Sequence, residues 1–229
     1  VLKLYVEFTK QDWFEVLGID EERVPTSFII HGEWSHEENL DWWKETLKKD
    51  GWSPKWNAVI GKYNEKNIGF ANVYGGPMAT SIIHQFAFAG TELFIQTGYF
   101  GGLSHNVEYG DILIVTEAEM KDGVSHYYLP NNTTVESDER MVNAAIDYCE
   151  RQGYNYVTGT VISTSAMFLE TREMVSDWAK RGHYGVDMET ATTLAVAKKF
   201  NKSSIGLLNL SDHMIQGDTV YSYLQDFAP

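Results

Sequence analysis

The sequence predicts an α/β fold: a single domain in which a mixed, largely parallel β-sheet is flanked by α-helices. Three observations carry that prediction. Short apolar, β-branched runs alternate with longer amphipathic ones along the chain. The 229 residues, 43% hydrophobic and 22% charged, suffice for one sizeable core. No repeat or low-complexity linker breaks the pattern and the five prolines are scattered, so residues 1–229 read as a single domain.

The elements follow in chain order. Gln11–Leu17 reads as a short helix and Ser27–His31 as the first strand. His36–Lys49 is helical: Leu40, Trp43 and Leu47 recur at helical spacing, with Glu37, Glu38, Lys44 and Lys48 largely on other faces. Asn57–Tyr63 and Lys66–Val73 are strands, Met78–Ala89 a helix, and Leu93–Thr97 and Asp111–Thr116 strands again. Ser137–Gln152 is a helix whose Ser137 offers a hydroxyl cap without a reciprocal carboxylate, since Arg140 stands three residues on. Tyr156–Val161 is a strand, Glu170–Lys180 and Asp187–Lys199 are helices, and Ser204–Leu210 is the last strand.

Composition narrows the function. A net charge of -14, from 18 basic and 32 acidic residues, argues against nucleic acid as a partner. It also makes an anionic small molecule costly to bind unless the site supplies local positive charge. The lone Cys149 excludes an internal disulfide and a multi-cysteine zinc site. The seven histidines fit no metal spacing, so no metal is expected. No apolar run approaches the roughly 20 residues of a membrane span. Val1–Thr9 lacks the basic-then-apolar order of a secretory leader, although Val1 is not an initiator methionine and earlier trimming stays open. The sequons at Asn131 and Asn201 are of a kind that arises by chance, and the cytoplasm is the expected compartment.

Ligands of α/β sheets bind beyond the carboxyl ends of the strands. Gly75-Gly76-Pro77-Met78-Ala79 joins a strand to a helix; two glycines let the backbone approach a ligand, though an ordinary turn has the same composition. Gln96–Leu103 is dense in glycine with Tyr99 and Phe100 between, suited to a flat heterocycle or to filling a barrel end. Asn209–His213 closes the last strand, where Asp212 is a cap or, if burial raises its pKa, a proton donor. In Gly185–Thr192, Asp187 is a plausible N-cap, while Glu189 beside Met188 presents a carboxylate able to accept from the two hydroxyls of a ribose diol.

These segments in this order, with Gly110-Asp111-Ile112, resemble the nucleoside phosphorylase superfamily. Ser125–Pro130 and Ala166–Glu173 are similar to its uridine phosphorylase-like branch, and the resemblance runs from about Ser27 to Asp212. It implies a twisted sheet partly closed into a barrel, and cleavage of a nucleoside's N-glycosidic bond. It implies that Met188 and Glu189 hold the ribose, that Asp212 protonates the leaving base, that Phe168 and Met167 stack on the base, and that Thr97 and Gly98 line the floor between sugar and base. It further implies a homo-oligomer; relatives continue into a closing helix and flap past the position of Pro229, so the C-terminus here is either truncated or shortened.

The resemblance fails where the family holds phosphate. Gly32 keeps its place, but His36, Gln96 and Tyr99 stand where relatives present two arginines and a small hydroxyl residue, and Glu33 adds an acid to the first loop. None of the five arginines falls in a phosphate loop. Hydrolysis, with Glu33 activating water, is therefore favoured over phosphorolysis through a non-standard phosphate site; a silent nucleoside-binding relative is the remaining alternative. No cofactor is expected, phosphate being at most a co-substrate. Whether the base is purine or pyrimidine is not legible; Arg172 is the near candidate for reading a pyrimidine.

Overall fold

A computed structural model describes residues 3–33, 37–47 and 52–222. The described elements are α1 (Lys10–Leu17), β1 (Ser27–Gly32), α2 (Glu37–Thr46), β2 (Trp52–Lys55), β3 (Ala58–Tyr63), β4 (Lys66–Val73), α3 (Gly76–Ala89), β5 (Leu93–Gly102) and β6 (Ile112–Lys121). They continue with α4 (Ser125–Tyr128), β7 (Thr134–Glu136), α5 (Glu139–Gln152), β8 (Tyr156–Thr164), α6 (Arg172–Lys180), β9 (His183–Asp187), α7 (Thr190–Lys199) and β10 (Ser203–Asp212).

The strands form one sheet in the order β10-β6-β8-β9-β5-β1-β4-β3-β2, and β10 also pairs with β5. The sheet therefore closes into a barrel of β5, β10, β6, β8 and β9, from which β1, β4, β3 and β2 extend as an open wing. The wing core gathers Phe28, Ile30, Ile82, Ile83, Phe86 and Phe94 between sheet and α3; the barrel core gathers Phe100, Leu113, Val115, Val161, Leu194 and Leu208. Helix α7 is buried from Thr190 to Ala197. Its small residues let it pack on α3: a Cβ at Gly76 would lie 2.5 Å from Thr192 Oγ1.

Wing and barrel part at Gly98. On one edge β5 pairs with β1 from Leu93 to Gly98, then with β9 at Gly101 and Gly102. Gly98 has φ +136°, and a Cβ there would meet the Gly32 carbonyl oxygen at 2.6 Å. The expected Leu93–Thr97 strand is thus too short: Gly98–Gly102, expected as a loop, continues it. β6, β8 and β10 likewise outrun their expected ends, and β2, β7 and β9 were not foreseen. Ser137 is not the cap of α5; Asp138 is, its Oδ1 accepting from the Arg140 N–H at 2.9 Å. Helix α7 starts at Thr190 rather than Asp187.

Candidate active site

The carboxyl ends of β1 and β4, Gln96 in the middle of β5 and the start of α7 converge on Glu189. Its residue is 5% exposed, and Oε1 accepts from the Gly75 N–H at 2.6 Å. A Cβ on Gly32 would stand 2.6 Å from Glu189 Oε2 and 3.3 Å from Gln96 Nε2. A Cβ on Gly75 would stand 3.9 Å from Met188 Cε. Gly32, Gly75, Gln96, Met188 and Glu189, read separately along the sequence, are one cluster. A side chain at Gly32 would displace the carboxylate, whereas Gly75 is required by its φ of +80°.

Burial, and secondarily the charge of Asp187, push the Glu189 carboxyl up from its ordinary value. Asp187 itself is held structurally: Oδ1 accepts from Ser163 Oγ at 2.5 Å, and Oδ2 accepts from the Thr190 N–H at 2.9 Å and from the Thr190 hydroxyl. Asp187 ends β9 rather than standing at the N-cap, a position Glu189 holds, while its side chain accepts from the first N–H of α7. Glu189 has unspent acceptor capacity, which two ribose hydroxyls would fill while favouring its ionised form.

Gln96 is wholly buried and used. Its Oε1 accepts from Thr193 Oγ1 at 2.7 Å and its Nε2 donates to the Thr97 carbonyl at 2.8 Å.

Glu33 follows Gly32, and its side chain meets His31 and Asn39. Its Oε2 accepts from Asn39 Nδ2 at 2.5 Å and lies 3.3 Å from His31 Nε2; His31 Nδ1 lies 2.9 Å from Thr97 Oγ1. Burial holds the His31 imidazole below its usual range, against the pull of Glu33. A neutral ring that donates from Nε2 to Glu33 and accepts the Thr97 hydroxyl at Nδ1 satisfies both contacts. Asn72 completes the network, its Nδ2 donating to the Glu33 carbonyl at 2.5 Å and its Oδ1 accepting from Asn39 at 3.2 Å. Both side-chain donors reach Oε2, and Oε1 of Glu33 has no partner among the described residues. Thr97 stands with His31, and Tyr99 is edge-on to His31 at 6.1 Å. His36 lies outside the described residues.

Asp212 ends β10 at 5% exposure. Burial raises its carboxyl above the usual range and Asp218 adds to this, while Ser211 and His213 oppose it. Ser211 Oγ is 2.5 Å from Asp212 Oδ1. Tyr109 meets His213 edge-on at 5.3 Å. Phe168, expected to stack on the base, has 74% of its surface exposed at the rim; Met167, which starts the same 3-10 turn, is partly covered.

Sequence reasoning missed His31, Asn39, Asn72 and Glu170. The signal for His31 was available, because residues two apart on a strand share a face and His31 precedes Glu33 by two. Among the described residues no group of three or more metal-binding side chains is found, and no helix is long and apolar enough to cross a membrane.

A family model described as "Phosphorylase superfamily" matches residues 35–228. A DeoD-type purine nucleoside phosphorylase of Clostridium beijerinckii is 27% identical over 130 residues, 56% of this chain and 55% of that protein. A guanosine phosphorylase of Halorubrum lacusprofundi is 24% identical over 144 residues, 63% of this chain and 60% of that protein. In both, the chain spans less than two thirds of the relative's length. The crystal structure of a uridine phosphorylase from Vibrio fischeri superposes with a TM-score of 0.77 at 20% identity, over 92% of this chain and 87% of that one.

Proposed function

The chain belongs to the phosphorylase superfamily, and from that premise we propose that it cleaves the N-glycosidic bond of a nucleoside with water as the nucleophile. Breaking this bond leaves positive charge on the ribose and negative charge on the base, and an enzyme gains most by stabilising both in the transition state. Glu189, with Met188 beneath the sugar, accepts from the ribose diol and offers negative charge to the cation. Asp212 gives a proton to the base, against which Met167 and Phe168 stack. Glu33 takes a proton from water as its oxygen bonds to the anomeric carbon.

The observation that carries the choice of water is the state of Glu33. Among the described residues two donors reach one carboxylate oxygen and none reaches the other, which suits a general base. A phosphate dianion beside that carboxylate would need cations, and Gln96, which takes an arginine's place in the resemblance, is neutral and committed to Thr193 and Thr97. The names of the similar proteins favour phosphorolysis as the second reading. Exposed Tyr127, Phe168 and Leu169 are consistent with a homo-oligomer.

Sugar-product analysis separates the two readings. Purified protein incubated with a nucleoside panel is expected to release free base and free ribose at a rate that added phosphate leaves unchanged. Glu33→Gln is expected to lose roughly 10²–10⁴-fold in rate, the usual worth of a positioned general base. Ribose 1-phosphate as the main product would overturn hydrolysis in favour of phosphorolysis. No release from any nucleoside, with or without phosphate, would leave a binding protein.

A further inference from the structure

The mechanism above gives Glu33 a task and leaves His31 without one. The backbone of Glu33 is pinned by β4: its N–H donates to the Val73 carbonyl at 2.9 Å, and its own carbonyl accepts from Asn72 Nδ2 at 2.5 Å. Asn72 is tied in turn, its backbone carbonyl accepting from Asn57 Nδ2 at 2.7 Å. These bonds leave the plane of the Glu33 carboxylate free to turn. His31 Nε2, at 3.3 Å, and Asn39 Nδ2, at 2.5 Å, set it, and both reach Oε2. Asp187, by contrast, is held through both oxygens, by Ser163 on one and Thr190 on the other.

The His31 ring is itself locked. Phe70 lies 5.9 Å from it at a tilt of 31° and is stacked in turn on Trp43 at 4.9 Å, while Tyr99 meets it edge-on. Thr97 Oγ1 lies 2.9 Å from Nδ1. Among the described residues the titratable side chains that meet the ring are Glu33 on its own strand and Tyr99 on β5; β4 presents Phe70 to it, and α2 presents Asn39 to Glu33. A neutral imidazole donates from one nitrogen only. With its hydrogen on Nδ1 it would turn a lone pair from Nε2 toward the carboxylate. A Thr97 hydroxyl donating to Nδ1 disfavours that tautomer and places the hydrogen on Nε2.

We propose that His31 is the positioning residue of the water-activating base: Thr97 sets its tautomer, and the Nε2–H so fixed holds Glu33 ionised with Oε1 free for water. The inference rests on the reading of Glu33 as that base. When water attacks, its oxygen bonds to the anomeric carbon, one of its hydrogens passes to Glu33 Oε1, and the glycosidic electron pair leaves with the base. His31 neither gains nor loses a proton in this step. Glu33 then returns its proton to solvent.

The test compares His31→Phe and His31→Gln with wild type. A phenyl ring keeps the packing on Phe70 and donates nothing, whereas a glutamine amide can place an N–H where Nε2–H stands. His31→Phe is expected to lower kcat about tenfold or more with KM nearly unchanged, the usual worth of a hydrogen bond to a charged group. Losing a donor to the ionised carboxylate should also move the acid limb of the pH profile about one unit toward neutral. His31→Gln is expected to restore both. Thr97→Val should lower kcat with His31 present and not in His31→Gln, which has no tautomer to set. An equal loss in both backgrounds would overturn the tautomer control. Wild-type kcat and acid limb in His31→Phe would overturn the positioning role and leave Glu33 as the base. Glu33→Gln at the wild-type rate, or no base release by the wild type, would remove the base and the role of His31 together. Imidazole 15N NMR of the wild type keeps the proposal testable if the variants do not fold. A His31 hydrogen on Nε2 at neutral pH is expected; one on Nδ1 would overturn it.

Discussion

A carboxyl held by backbone N–H groups and otherwise buried makes protonation and ligand binding parts of one equilibrium, and Glu189 is such a group. Its native value is raised from the ordinary 4.5, by burial first. A raised acid contributes stability that is fully present below its unfolded value and is lost as pH rises through its native value. Wild type is therefore expected to lose stability relative to Glu189→Gln from about pH 4.5 upward, read as a widening difference in Tm. The same variant is expected to lower kcat/KM at least tenfold, since each charge-assisted hydrogen bond to the diol is worth about 1.5–3 kcal/mol. An unchanged rate on a ribonucleoside would remove Glu189 from the sugar site. Glu189 and Asp212 were legible because an acid among small or apolar residues at a strand or helix end stands out in sequence. Glu170 was not, because what singles it out is burial, which raises its carboxyl and which no local pattern reveals.

At the scale of elements, the alternation of apolar and polar residues located the strands but not their ends. β5 was read as five residues followed by a glycine-rich loop, whereas it runs on to Gly102. Glycine carries no burial signal, so a strand that continues through Gly98, Gly101 and Gly102 loses its pattern where it matters most. These glycines serve close approach: a Cβ on Gly101 would meet Met214 Sδ at 2.3 Å, and one on Gly98 would meet backbone at 2.6 Å. The short β2, β7 and β9 are too brief to show a period at all. Gly98→Ala combines a backbone clash with a left-handed φ, so it is expected to cost on the order of 1–3 kcal/mol or more. The midpoint of urea denaturation reads it. A midpoint within error of wild type would mean that β1 and β5 separate there without cost, and that the division between wing and barrel is not built on this contact.

The whole molecule carries a net charge of -14, and the site concentrates the same sign. Glu33, Glu170, Asp187, Glu189, Asp212 and Asp218 all belong to it or border it, ionised only in part where burial raises Glu170, Asp187, Glu189 and Asp212. Arg172 reaches the turn after Asp212, while Arg140 and Arg181 are paired with Asp138 and with Glu119 and Asp177 elsewhere. A neutral nucleoside crosses this field freely, but its 5′-monophosphate brings two negative charges into it. Two unit charges 4 Å apart interact by about 4 kcal/mol at the effective dielectric of a protein surface, and salt at 0.15 M screens beyond roughly 8 Å. The expected outcome is a kcat/KM for the 5′-monophosphate at least about a hundredfold below that of the matching nucleoside at low ionic strength. The gap should narrow as sodium chloride is raised, because the more distant carboxylates are screened first while those in contact are not. Equal rates for the two substrates at low salt would mean that a cation, Arg172 or one from outside the described residues, reaches the site. That same cation would then be available to hold phosphate, and the case for water as the nucleophile would weaken with it.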